Sequence, residues 1–278
     1  MPVLHYCMLE NHATVTAQSM RTPSWRGDKS AFSSFRFPGV HVLGAATLAI
    51  MCCGRAHAQV AGQMGLQNNY EVRGISVTGG RPVGRLDLSY DLTSGLFFNG
   101  SALGALPDRN HPGLTGIIGD AGYARRLGLW LSADAGVTHS EYIGVGPGGT
   151  SIGYSEVYTG LSSRHVSLHL YYSPDYWKSN NQTFYAELGG NTGLVAGIRL
   201  SAHLGLLTYL NGETGSARAY IRSGSVQYDW LISMSRQFGA LDAHMSVSNG
   251  GSNAVRSYES YSRPSFMTIF IVGAGYTF

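Results

Sequence analysis

From Ser265 to Phe278 the chain reads SFMTIFIVGAGYTF, with apolar side chains on one parity, smaller residues between them, and an aromatic residue at the end. With a side-chain period of two, Phe266, Phe270, Val272, Ala274, Tyr276 and Phe278 line one surface, and Gly273, Gly275 and Thr277 the other. A row that apolar belongs against lipid, in the manner of an outer-membrane β-barrel strand. Gly273, Tyr276 and Phe278 also have the form of the C-terminal signal read by bacterial barrel-assembly machinery, a partner expected on that ground.

The remainder divides into strand-length segments separated by Gly, Pro, Asn and Ser, about twelve in all with the last. Their expected cores are 66–75, 83–91, 95–103, 115–125, 128–140, 153–163, 165–173, 183–190, 195–206, 218–235, 239–248 and 265–278. Alternation is plain in Arg85 to Asp91, in His165 to Leu170 and in Gln227 to Trp230. A soluble β-sandwich alternates too, so alternation alone does not decide. The joins decide better. Those after even-numbered segments are short (Leu92 to Ser94, Arg126 and Leu127, Arg164, Asn191 to Leu194, Arg236 to Phe238), whereas most after odd-numbered ones are long. Short turns on one side, long loops on the other and an even strand count predict an all-β fold. It is a closed antiparallel transmembrane β-barrel of about twelve strands spanning residues 59–278, with both termini in the periplasm. Closure removes the sheet edges that lipid would not tolerate.

The N-terminal region agrees with that destination. Gly39 to Cys53 is an apolar run preceded by Arg21, Arg26, Lys29 and Arg36 and followed by Ala56-His57-Ala58. That is the charged region, apolar core and small-x-small site of a cleavable signal peptide, so cleavage is expected after Ala58 and residues 1–58 are expected to leave. The run is too short for a comfortable membrane-spanning helix. Ile50 and Met51 stand where small residues should precede a lipidated Cys52 or Cys53, and translation starts at Met1 or at Met20.

Processing would change the chemistry of the chain. Cys7, Cys52 and Cys53 are its cysteines, so the processed barrel carries none. The whole formal charge of +3 goes as well, because Arg21, Arg26, Lys29, Arg36 and Arg55 leave against Glu10 and Asp28. A nearly neutral barrel with the single lysine Lys178 gives no electrostatic case for nucleic acid.

Tyr70 to Ser76 (YEVRGIS), Asp87 to Tyr90, Ser94 to Leu96, Glu156 to Leu161 and Leu168 to Tyr176 (LHLYYSPDY) resemble the proteobacterial TorF-type porin family of small outer-membrane β-barrel proteins. Tyr228-Asp229-Trp230, Ser235-Arg236 and the closing Gly275 to Phe278 continue the resemblance. It covers nearly all of the chain after residue 58. It implies a porin, says little about the solute and supplies no catalytic residue. Passive diffusion of small hydrophilic solutes or ions across the outer membrane is the function expected of such a barrel.

Strand parity places Glu71, Arg73, Arg85, Asp87, Asp120, Asp134, Glu156, Glu187, Arg199, Asp229 and Asp242 inside the barrel, with His165, His169, His203 and His244. Two readings follow. Opposed charges lining an open passage would set a transverse field for polar solutes, and the same charges paired together would plug the lumen. A twelve-strand barrel lies between the filled eight-strand and the open sixteen-strand cases. No cofactor or metal is expected. His165 and His169 sit about 13 Å apart along a strand, and His203 and His244 fall on non-adjacent segments.

A barrel enzyme of lipase or protease type is the rival class, which needs a serine or water-activating carboxylate beside a histidine at the lipid face or outer rim. No such motif stands out, although His111 near Asp108 could be recruited. A structural or adhesive barrel binding a partner through its loops would use Tyr171, Tyr172, Tyr176 and Trp177, aromatics that interfacial anchoring also explains.

Overall fold

A computed structural model describes residues 59–105, 113–145, 149–177, 180–193, 195–211, 223–252 and 268–278. The predicted signal peptide, with Ala56 and Ala58, lies outside the described residues, as do His111 and Asp108. The strands are β1 (Gln59–Gln67), β2 (Glu71–Val72), β3 (Ile75–Ser76), β4 (Val83–Asp91), β5 (Leu96–Ala105), β6 (Gly113–Arg126) and β7 (Ser132–Tyr142). They continue with β8 (Ile152–Ser162), β9 (Val166–Tyr176), β10 (Asn181–Gly193), β11 (Ile198–Tyr209), β12 (Val226–Phe238), β13 (Leu241–Ser252) and β14 (Ile269–Thr277).

All except β2 and β3 belong to one closed antiparallel barrel of twelve strands, each paired with its neighbours in sequence. β1 closes the ring, pairing with β4 on one side and β14 on the other. The seam is locked at its end by a reciprocal pair of bonds, Gly62 N to Phe278 O at 3.0 Å and Phe278 N to Gly62 O at 2.9 Å. The connections sort by rim. Residues 92–95, 127–131, 163–165, 194–197 and 239–240 join strands on one rim, and every connection on the other rim except 177–180 is longer.

Several expected boundaries are corrected: Arg126 ends β6, Asn191 to Gly193 end β10, and β7 begins at Ser132 and not at 128. Arg236 to Phe238 are the last residues of β12, and the turn is Gly239-Ala240, where Gly239 takes φ 65°. The expected first strand, 66–75, does not exist: the wall strand is β1, and the chain after Gln67 turns inward. The reason is local. Arg73 and Gly74 both take positive φ, at 50° and 76°, between the paired positions Val72 and Ile75. A two-residue turn with positive φ at both centres makes a tight hairpin, which a continuous wall strand cannot contain.

Outward rows are apolar. Leu86, Leu88, Val137, Val157, Leu168, Leu188, Leu204, Ile232, Met245 and Val272 are all exposed and face away from the lumen. Tyr123, Phe238, Tyr276 and Phe278 ring this band toward the short-turn rim, and Phe184, Tyr228 and Phe270 toward the long-loop rim. On β14 the step from Phe270 to Tyr276 is six residues, about 20 Å at the strand rise, which is the scale of a hydrocarbon band between aromatic girdles.

Candidate functional site

Residues 69–81 form a hairpin inside the barrel, entered from the long-loop rim. Asn69 organises it: its Oδ1 accepts from Ser76 Oγ (2.6 Å), Thr78 Oγ1 (2.9 Å) and Gly80 N (3.0 Å). Tyr70 N donates to Thr78 Oγ1 at 3.0 Å and Val77 N to Tyr70 O at 2.9 Å, while β2 and β3 pair Glu71 with Ser76. Tyr70 and Val72 are wholly buried. Gly74 lies so close to β13 that a Cβ there would stand 2.8 Å from the Cα of Gly250, so glycine is required by space as well as by its φ.

The tip of the hairpin is seated on the wall by charge. Arg73 Nη2 donates to Glu156 Oε2 of β8 at 2.7 Å, both side chains being almost fully buried. The same guanidinium lies 3.9 Å from the ring centroid of Tyr185 and between 5.3 and 5.7 Å from those of Tyr176, Tyr154 and Tyr171. A desolvated contact of this kind contributes about 2 kcal/mol. Gln227 of β12 donates through Nε2 to Arg73 O at 3.0 Å. Ser248 of β13 donates through Oγ to the Glu71 carboxylate. Burial pushes the Glu71 carboxyl up to about 7; the Ser248 hydrogen bond opposes the rise and the nearby Asp229 charge adds to it.

Toward the short-turn rim an ionisable belt runs around the inner wall. Asn99 Nδ2 and Tyr158 OH both donate to Asp120, at 2.9 Å each. His169 Nε2 is 3.2 Å from Asp134 Oδ2. His203 bridges two carboxylates, Nδ1 3.3 Å from Glu187 Oε1 and Nε2 2.6 Å from Asp229 Oδ1, with Tyr185 OH donating to Asp229 at 3.2 Å. Glycines make room for it: at Gly160 a Cβ would strike the His169 ring, and at Gly205 the Tyr185 hydroxyl and Asp229 carboxylate. Arg85 Nε pairs with Asp87 Oδ1 at 2.7 Å, and Ser101 Oγ donates to the same oxygen. His244 Nδ1 is 3.5 Å from Asp242 Oδ1 on the same strand.

All but one of the residues placed inside by parity are therefore buried or half-buried and most are joined to one another, with Arg199 half-buried near the short-turn rim. Three placements change. Glu71 and Arg73 reach the interior from the hairpin, not from a wall strand. His165 is in the turn before β9, exposed, with Nδ1 3.1 Å from Asn191 O. It is outside the lumen because β9 begins only at Val166. Tyr154 and Tyr185 were missed as site residues, since a parity argument built on charge passes over tyrosines, and Tyr171, Tyr176 and Trp177, expected on a partner-binding or interfacial surface, are instead buried in the interior cluster. Among the described residues no three His, Cys, Asp or Glu side chains are grouped to hold a metal ion.

The outer surface holds one further constellation. His139 of β7 and Ser155 of β8 are paired on the outward face, with Nδ1 2.8 Å from Oγ, and Glu141 Oε2 is 3.9 Å from His139 Nε2.

An apolar band between aromatic girdles around a closed barrel, with ionisable groups inside, defines a porin-like β-barrel of the outer-membrane class. The chain belongs to a bacterial protein family of unknown function, Gcw_chp, whose family model matches residues 53–266. No curated protein matches it in sequence. Among solved structures it is similar to the KdgM porin at 12% identity and TM-score 0.43, covering 80% of this chain and 99% of that one. It is similar to the NanC porin at 7% identity and TM-score 0.47, covering 78% and 99%. It is also similar to the COG4313 outer membrane channel from Pseudomonas putida F1 at 12% identity and TM-score 0.40, covering 80% and 95%. At such identities the likeness is one of fold alone.

Proposed function

We propose that the protein is an outer-membrane porin-like barrel that lets small hydrophilic solutes or ions diffuse through its lumen, with cations preferred and the seated hairpin restricting flow. The observation that carries this reading is the character of the obstruction. The hairpin is held by an ion pair, hydrogen bonds, ring contacts and the burial of Tyr70, Val72 and Val77 in one apolar cluster with Val83, Leu103, Ile118 and Leu207 of the wall. The strand-to-strand ladder of the wall runs through none of these contacts, so release of the hairpin would leave the wall paired. Behind it the interior is polar rather than packed with aliphatic side chains. Glu71, Asp87, Asp120, Asp134, Glu156, Glu187, Asp229 and Asp242 outnumber Arg73, Arg85 and Arg199 there even with His169, His203 and His244 added to the basic side, so the field favours cations. The KdgM porin has also been solved with oligogalacturonate, a polycarboxylate; the acidic lumen argues against carrying that solute class over. The TorF-type resemblance of Tyr70 to Ser76 and Leu168 to Tyr176 supports the porin reading.

Export by a signal peptide cleaved after Ala58, insertion through the Gly273, Tyr276 and Phe278 signal, and both termini in the periplasm complete the proposal. Ion currents through the purified protein in a planar bilayer test it. Cation-biased conductance that grows when the hairpin is unseated is the expected result, and an electrically silent bilayer for parent and unseated variant alike overturns it.

A second reading rests on His139, Ser155 and Glu141. They lie near the long-loop rim beyond the apolar rows of Val137 and Val157, where a lipid ester bond would meet them. A lipid-ester hydrolase would label at Ser155 with an alkyl fluorophosphonate, and Ser155→Ala would abolish the label. Absence of labelling removes this reading and leaves the porin intact.

A further inference from the structure

Seen from the wall, the seat of Arg73 is a binding site occupied by part of the chain itself. Tyr154 and Glu156 come from β8, Tyr171 and Tyr176 from β9, and Tyr185 from β10, three adjacent wall strands to which the hairpin contributes no strand. Each is at most 5% exposed. The tyrosines stack on one another, with centroids 4.7 Å apart for Tyr154 and Tyr176 and 5.9 Å for Tyr171 and Tyr185, so the cage is braced by its own contacts. A carboxylate in an aromatic enclosure is the chemistry that recognises a delocalised or alkylated cation: the rings take its face, the carboxylate its charge, and a weakly hydrated head loses little on entry.

We propose that Glu156 with Tyr154, Tyr171, Tyr176 and Tyr185 forms a binding site for an organic cation bearing a guanidinium or quaternary ammonium head, and that Arg73 is an internal competitor for it. The proposal rests on the porin reading for the route by which solute arrives, and goes beyond it by naming the solute class. A simple metal cation gains little from the rings. Polyanions are repelled by Glu156. A solute that binds must displace Arg73, so binding and hairpin release are one exchange: the Glu156 ion pair with Arg73 breaks and an equivalent pair with the ligand forms.

The test is equilibrium binding of L-arginine amide to full-length folded protein in detergent, by titration calorimetry, with L-citrulline amide, which lacks the charge, as the control. Arg73→Ala vacates the cage and is expected to bind L-arginine amide at least about tenfold more tightly than the parent, the size of one charge-assisted contact. Arg73→Ala with Glu156→Gln should lose that gain, and L-citrulline amide should not bind. Failure of Arg73→Ala to bind better than the parent, or binding indifferent to Glu156→Gln, overturns the proposal. Should Arg73→Ala not fold, Ile75→Cys in protein whose Cys7, Cys52 and Cys53 are replaced by serine gives the second readout. L-arginine amide should then speed modification of that thiol several-fold while L-citrulline amide does not; equal rates overturn the proposal. Neither measurement passes a current, so a barrel that binds the cation yet conducts nothing refutes the porin reading and leaves the cage standing.

Discussion

Arg73 and Glu156, 83 residues apart in the chain, meet at 2.7 Å inside the barrel, one on a hairpin tip and the other on the wall. Removing one partner of such a buried pair strands the other charge and costs about 3–5 kcal/mol. Glu156→Gln should therefore loosen the hairpin and raise single-channel conductance several-fold in a planar bilayer, with the barrel still folded by its heat-modifiable migration on a detergent gel. Unchanged conductance would mean that the hairpin does not limit flow.

Acidity should hold the hairpin in place. The Glu71 carboxyl is pushed up from 4.5 to about 7 when seated, so the seated form binds more protons than the released form between those values. By linkage its stability is greatest below pH 4.5 and falls as pH rises toward 7. Conductance is expected to climb across that window. Asp229, Arg73 and His203 also face this region, so the decisive comparison is Glu71→Gln, which should flatten the component absent from the parent's other groups. A Glu71→Gln profile identical to the parent's would remove Glu71 from the gate.

Leu168 and His169 are adjacent in β9 and point to opposite faces, one exposed and the other buried. Leu168→Arg should destabilise the barrel by about 2–4 kcal/mol if it lies near the bilayer midplane. His169→Gln should fold with a far smaller loss. Urea unfolding in lipid vesicles reads both, and equal effects would refute the assignment of faces.

Much of this architecture was legible before any coordinates. A period of two survives in a barrel strand because one face meets lipid, so β4, β8 and β14 fell within a few residues of the segments expected for them. The hairpin was not legible. Glu71-Val72 and Ile75-Ser76 alternate just as a wall strand does, and Arg-Gly is a weaker turn signal than Asn-Gly. What sends the segment inward is the pairing of Arg73 with Glu156 and of Glu71 with Ser248, contacts between residues far apart in sequence. His165 failed for a different reason: parity says which way a side chain points, not where the strand begins.

Short connections such as the one holding Arg164 should face the periplasm, and the rim holding Ser151 the cell exterior. Single cysteines at the two positions, probed on whole cells with an impermeant thiol reagent, should react at Ser151→Cys only. Reaction at Arg164→Cys would invert the topology.

The hairpin follows β1 directly, yet its anchors sit on β8, β12 and β13, and β1 finds its second neighbour only in β14. During biogenesis the segment is among the first of the barrel to be synthesised, while Arg73 waits for Glu156 on β8 and Glu71 for Ser248 on β13, the last wall strand but one. A truncated or misregistered wall would leave Arg73 and Glu71 exposed to solvent in a half-built cylinder. The segment thus works as a gauge of completion, a core around which late strands are wound and whose electrostatic debts are discharged only when the cylinder is whole.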